Sequence, residues 1–167
     1  MPMTPSDFRV RFTSALSPEL RGLNLKLDEF KVFPDDGNAA QLLTEQDRRF
    51  LREIGMPRSA APFLSFRHHP ETDYDYLPDG YYPIGSDGAG NAICVDSGSG
   101  NVILLDHDFK MQRIFLNSTL LKFAECLCLY TEHLTIEKME KCFDAMRAAD
   151  AELVAQGDWW QTEIRNF

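Results

Sequence analysis

Asp106-His107-Asp108 is the one short run whose residue types could begin an enzymatic site, because an imidazole between carboxylates can ligate a metal or take up a proton. Its spacing argues against convergence. At the end of a strand, successive side chains point to opposite faces, so Asp106 and Asp108 share a side with Asn91 while His107 turns away. His68-His69 adds two imidazoles without a carboxylate at helical spacing, and a catalytic metal needs several converging ligands. No Gly-x-Ser-x-Gly marks a serine nucleophile. Cys94, Cys126, Cys128 and Cys142 lie in apolar stretches, with no Cys-x-x-Cys pair and no histidine at zinc spacing. They read as reduced core thiols, and neither a metal nor a cofactor is expected.

Glycine-rich turns raise phosphate binding as a second chemistry. The chain has no Gly-x-Gly-x-x-Gly and no Gly-x-x-x-x-Gly-Lys-Ser/Thr, and its Gly-x-Gly turns feed strands instead of the helix N-terminus a phosphate cradle requires. The turns belong to an internal repeat, Gly88-Ala89-Gly90-Asn91 leading to Asp96 and Gly98-Ser99-Gly100-Asn101 leading to Asp106. Calcium-binding repeat arrays need about three or more copies, and here there are two. The simplest geometry is an antiparallel hairpin with Ile93 opposite Leu104, Cys94 opposite Ile103, Val95 opposite Val102 and Asn91 opposite Asp106. Both faces of that hairpin are apolar, which requires central strands with something packed on each side.

Charge narrows the partners. The 167 residues carry a net charge of −9, which excludes a protein that grips nucleic acid mainly through its phosphates. From His68 to Phe109 there is no Lys or Arg, while Glu71, Asp73, Asp75, Asp79, Asp87, Asp96, Asp106 and Asp108 are all acidic. All but one unit of the net charge therefore sits in this stretch, among Tyr74, Tyr76, Tyr81 and Tyr82. Carboxylates mixed with aromatics are the composition of a surface that recognises a basic protein, although an acidic run also serves simply as a solvated face. No apolar run reaches the roughly 20 residues of a membrane span and the N-terminus does not read as a signal peptide, so a cytoplasmic location is expected.

The length fits one domain, residues 1–167. Phe8, Phe12 and Leu16 at four-residue steps predict a surface helix over 5–16, and Leu23, Leu25 and Leu27 suggest an edge strand. Thr44 and Asp47 resemble a capping box for a helix bearing Phe50, Leu51 and Ile54, stopped by Gly55 and Pro57. Phe63 to Phe66 reads as a strand and Pro70 to Gly80 as an exposed loop. Strands at Tyr81–Ile84 and Gln112–Leu116 flank the repeat hairpin. Asn117 is expected to cap a helix carrying Leu120, Leu121, Ala124, Leu127 and Cys128. Thr135 then starts another with Met139, Cys142, Phe143, Met146 and Leu153 along one stripe, and Asp158 caps a last helix holding Trp159, Trp160 and Ile164. Helices, a meander of strands, then helices make an α+β fold with a mostly antiparallel sheet.

Several of these residues form a recognisable signature. Tyr82-Pro83-Ile84-Gly85, Gly88-Ala89-Gly90-Asn91, the apolar run ending in Asp96, Gly100 and the second apolar run ending in Asp106 resemble the signature region of the SUKH superfamily. Phe50-Leu51 with Gly55-Met56-Pro57, the helix after Asn117-Ser118 and the terminal Trp159-Trp160 are similar to its flanking elements, the last to those of a bacterial immunity branch. The resemblance covers residues 44–167 and leaves 1–43 weakly matched. It implies a helix-covered sheet, no enzymatic activity, and an immunity protein that binds a cognate toxin, commonly a nuclease or nucleic-acid deaminase of a polymorphic toxin system. Under that reading Glu71, Asp73, Tyr74, Asp75, Tyr76, Asp79, Asp87, Asp106 and Asp108 are the candidate contacts to a basic toxin surface, with no direct contact to nucleic acid or membrane. An adaptor or regulator without a toxin is the alternative, and a metal-dependent hydrolase built on Asp106, His107 and Asp108 a third.

Overall fold

The structure is a computed structural model that describes residues 1–22, 27–35, 37, 39–68 and 75–167. Its elements run α1 Pro5–Ala15, α2 Pro18–Gly22, β1 Phe30–Lys31, α3 Glu45–Glu53, β2 Met56–Pro57, β3 Ser59–Ala60, β4 Leu64–Phe66, β5 Tyr81–Ser86, β6 Ala92–Asp96, β7 Val102–Asp106, β8 Gln112–Asn117, α4 Leu120–Glu132, α5 Ile136–Met139, α6 Cys142–Ala149, α7 Leu153–Gln156 and α8 Asp158–Arg165. Strands β3 to β8 form a six-stranded antiparallel meander in sequence order, and β1 pairs with β2 separately. This is the expected α+β class.

The repeat hairpin has the register its sequence dictates: Ile93 faces Leu104, Cys94 faces Ile103 and Val95 faces Val102. Alternation along β6 and β7 splits the apolar residues between two cores. Ile93, Val95, Val102 and Leu104 join the main core beneath the helices, while Ala92, Cys94, Ile103 and Leu105 form a smaller one on the rear face with Leu77, Tyr81 and Met111 packed over them. Both faces are covered, as the lack of polar alternation demanded.

The Tyr82-Pro83-Ile84-Gly85 motif is a bulge. Pro83 pairs with Cys94 and Gly85 with Ile93, leaving Ile84 as the extra residue. Proline, which lacks a donor, is tolerated in an interior strand at such a site. Tyr82 and Ile84 are both buried in the main core. Gly85 has no room for a side chain, because a Cβ there would lie 2.2 Å from the Ser65 carbonyl oxygen on β4.

Several local expectations change in the folded chain. Helix α1 is capped by Thr4 and, instead of lying on the surface, sinks Phe8 and Phe12 completely into the core. Arg11 on the same helix pairs with Glu132 at 2.7 Å and Glu125 at 3.2 Å on α4. Thr44 accepts from the Asp47 amide at 3.1 Å, as its spacing suggested. Leu23 and Leu25 lie outside the described residues, and Leu27 is in a turn. The stripe expected on one helix from Thr135 is divided among α5, α6 and α7, and its Met139, Cys142, Met146 and Leu153 still point inward. Asp158 is the first residue of α8, behind Gly157.

The largest correction concerns Asn117. Thr119, not Asn117, caps α4, accepting from the Lys122 amide at 3.2 Å. Asn117 is fully buried and accepts from the Trp160 indole at 3.0 Å while donating to Asp150 at 3.0 Å. Asp150 is also fully buried and accepts from the Ser118 amide and hydroxyl, both at 2.8 Å, with the Lys122 ammonium 3.6 Å away. Burial by itself disfavours the Asp150 carboxylate, but the donors from Ser118 and Asn117 and the Lys122 charge outweigh it and hold the group below the usual aspartate range.

A folded-state value below the unfolded one means that Asp150 stabilises the fold above about pH 4, and that this contribution disappears as the pH falls through the lower folded value. Asp150→Asn is expected to lower stability at pH 7 by about 2 kcal/mol and to flatten the acid limb of a urea-unfolding series.

Candidate partner-binding surface

The acidic residues divide by what their carboxylates do. Asp87 accepts from the Ala89 amide at 2.9 Å, the Asn91 amide at 2.8 Å and the Asn91 side chain at 3.0 Å. Asp96 repeats this one copy later, accepting from the Gly98 amide at 2.9 Å and the Ser99 hydroxyl at 2.8 Å. Each turn is closed by the same backbone pair, Asp87 N–H to Asn91 and Asp96 N–H to Asn101. Each also passes through a left-handed glycine, Gly90 at φ 88° and Gly100 at φ 75°. The internal repeat is thus a repeated turn. Asp96 additionally pairs with Arg113 at 2.9 Å. Burial opposes its charge, but the Ser99, Gly98 and Arg113 donors hold its carboxyl below the usual range.

Asp106 does a similar job at the far end of β7. The strand stops there and residues 107–109 form a short 3-10 turn, with Asp106 accepting from the Asp108 amide at 3.1 Å. The expected strand alternation through Asp108 is therefore replaced by a cap. Asn91 is buried and accepts from the His107 amide at 3.1 Å, tying the start of β6 to the end of β7. His107 stands 3.4 Å from Asp108, and among the described residues no group of three or more His, Cys, Asp or Glu side chains is placed to hold a metal. All four cysteines are free and buried, and burial pushes the thiols of Cys94, Cys128 and Cys142 up to about 12 and that of Cys126 higher still.

Asp75, Asp79 and Asp108 remain at the surface, and among the described residues Asp75 and Asp79 make no ion pair. Their segment is anchored on the rear of the sheet by Leu77 and Tyr81, and Met111 anchors the end of β7 to the same small core. Large aromatics are exposed on both segments, Tyr76 at 60% and Phe109 at 67%. Tyr82, by contrast, is buried in the main core. Glu71, Asp73 and Tyr74 lie outside the described residues. The rear of the sheet therefore carries exposed carboxylates and aromatic rings on a rigid support, an arrangement suited to protein recognition.

The terminal tryptophans belong to the scaffold. Trp160 is fully buried, 4.8 Å from Trp159, 5.9 Å from Tyr130 and 6.2 Å from Phe123 between ring centroids. The profile of the SUKH-4 immunity protein family matches residues 27–164. The chain belongs to the SUKH-4 immunity protein family. The SUKH-4 match begins upstream of the 44–167 region that carries the motif resemblance, taking in β1 and the approach to α3. No curated protein and no solved structure matches the chain significantly. Among the described residues, no helix of this SUKH-4 protein is long and apolar enough to cross a membrane.

The division of labour among the acids is directly measurable. Asp87→Ala and Asp96→Ala are each expected to cost about 1–2 kcal/mol in thermal or urea unfolding, through lost turn hydrogen bonds. Replacing Asp75 and Asp79 together by Asn is expected to change stability by less than about 0.5 kcal/mol.

Proposed function

We propose that this protein is a non-enzymatic, cytoplasmic immunity protein that neutralises a cognate toxin of a polymorphic toxin system by direct binding, as a single domain. Membership of the SUKH-4 immunity family carries the reading. The charge distribution supports a particular mode of action. A nuclease or nucleic-acid deaminase must present a basic surface to phosphates, and carboxylates on the immunity protein complement that surface. Asp75, Asp79 and Asp108, with Glu71 and Asp73 from the same acidic stretch, steer the toxin on approach. Tyr76, together with Tyr74, supplies contact area that is buried in the complex. Asp87 and Asp106 contribute negative potential while their carboxylates hold their own turns. Binding then blocks the toxin's substrate site without any chemistry on the immunity protein's side.

The test uses the product of the gene adjacent to this one as the candidate toxin. Neutralising Asp73, Asp75, Asp79 and Asp108 together is expected to slow association about tenfold at low salt and to flatten its salt dependence, measured by stopped-flow or surface-based kinetics. An unchanged association rate with unchanged salt dependence rejects electrostatic steering, and a wild-type protein that neither binds nor neutralises the toxin rejects immunity by direct binding.

A further inference from the structure

A groove of about 780 Å³ opens between the β3–β4 turn and helices α4 and α8. Buried Ala60, Leu64 and Tyr130 line it together with Leu134. Two phenylalanines stand at its margin, Phe63 at 86% exposure and Phe167 at 51%. Phe63 is held outward by its backbone, at φ 56° in the left-handed region that bulky side chains rarely adopt. Gly88, the first glycine of the repeat, lies directly against it, since a Cβ there would be 3.2 Å from the Phe63 Cβ. An exposed ring on a constrained backbone contributes little to the chain's own core and is available to a partner.

The groove also has a charge preference. Its described lining includes no Lys, Arg or His, and its one charged side chain is Glu163. Among the described residues the Glu163 carboxylate has neither a hydrogen-bond nor an ion-pair partner, although the side chain is half-buried. Burial, and after it the nearby Asp87 carboxylate, push Glu163 above the ordinary glutamate value, as expected of a carboxylate that lacks a counter-charge. A second copy of this chain would bring a further −9 of net charge and another Glu163 and Asp87 to the contact. A basic partner relieves the same site.

We infer that this groove is a docking site for a segment of a partner protein that presents an apolar side chain beside a Lys or Arg, the apolar group seated against Phe63, Leu64 and Tyr130 and the cation paired with Glu163. The inference rests on the reading that the chain works by binding a protein, and it adds an apolar anchor distinct from the acidic rear surface. Gly88 belongs both to the acidic stretch and to the groove's lining, and the Asp87 charge acts on Glu163.

Two probes separate this claim from the toxin reading. The first is a synthetic amphipathic peptide carrying Leu and Phe next to Arg, titrated into the full chain and followed by amide shifts in NMR. Shifts at Ala60, Phe63–Ser65, Gly88 and Asn166, weakened at least tenfold by Phe63→Ser and about fivefold by Glu163→Gln, and absent when Glu replaces Arg in the peptide, support the site. No shift in the groove, or binding indifferent to both substitutions or to the peptide's charge, overturns it. So does concentration-dependent self-association through the same residues. The second probe is the candidate toxin, the product of the gene adjacent to this one. If the wild-type protein binds it and Phe63→Ser with Glu163→Gln binds equally well, the groove claim falls while immunity stands. If the wild-type protein does not bind it, the immunity reading falls and the peptide result alone decides the groove. Thermal melts of both variants, expected to match the wild type because Phe63 is exposed and Glu163 unpaired, keep loss of folding from being read as loss of binding.

Discussion

A single buried carboxylate joins the last strand of the sheet to the helices that follow it. Asp150 leaves the end of α6 to accept hydrogen bonds from Ser118 and Asn117, where β8 turns into α4, and Asn117 in turn accepts from Trp160 on α8. The last strand and three helices are thereby joined at one point. A fully buried charge is costly unless its donors are satisfied, and Asp150 is satisfied at both oxygens. That satisfaction fixes where α6 must end and how α8 lies. It also sets the Trp160 ring among Phe123 and Tyr130, so the aromatic packing and the polar node specify the same helix arrangement.

With the helices committed to the front of the sheet, the rear face is left to loops. Ala92, Cys94, Ile103 and Leu105 are too apolar to face water, and Leu77, Tyr81 and Met111 cover them. The acidic segment is therefore pinned to a rigid sheet by its own apolar residues while Asp75, Tyr76 and Asp79 stay outside. Rigid support beneath an exposed, charged and aromatic surface lowers the ordering cost of binding. The turn aspartates serve the same end indirectly. They close the two Gly-x-Gly-Asn turns at the ends of β6, and Gly88 in the first of these lies against Phe63.

How much of this could be read from the sequence depended on how local the determining forces were. The hairpin register followed from period-two alternation and a repeated turn, both contained within Gly88 to Asp106, and the structure reproduces it. The Thr44 cap and the final tryptophan helix were local in the same sense. Asn117 reads as a helix cap in one dimension because capping is its commonest local role. Only the closing of α6 and α8 around it makes it the centre of a buried network. The stripe after Thr135 retained its apolar spacing across breaks at Lys141 and Asp150, so periodicity alone could not reveal three helices. Charge density gives one acidic segment, and the geometry is needed to separate Asp87, Asp96 and Asp106, which hold turns, from Asp75 and Asp79, which make no ion pair among the described residues. Phe63, read as the start of a strand, carried no sign of the groove beside it, since that groove joins residues far apart in the chain.

In the proposed mode of action, partner recognition uses the exposed acidic and aromatic surface on the rear of the sheet, and α5 to α7 stay outside the contact. Hydrogen–deuterium exchange of the protein with and without its proposed cognate toxin tests this most directly. New protection is expected at residues 75–81 and 106–111, with α5 to α7 unchanged. Protection confined to α5–α7, with the rear segments exchanging as in the free protein, would contradict it.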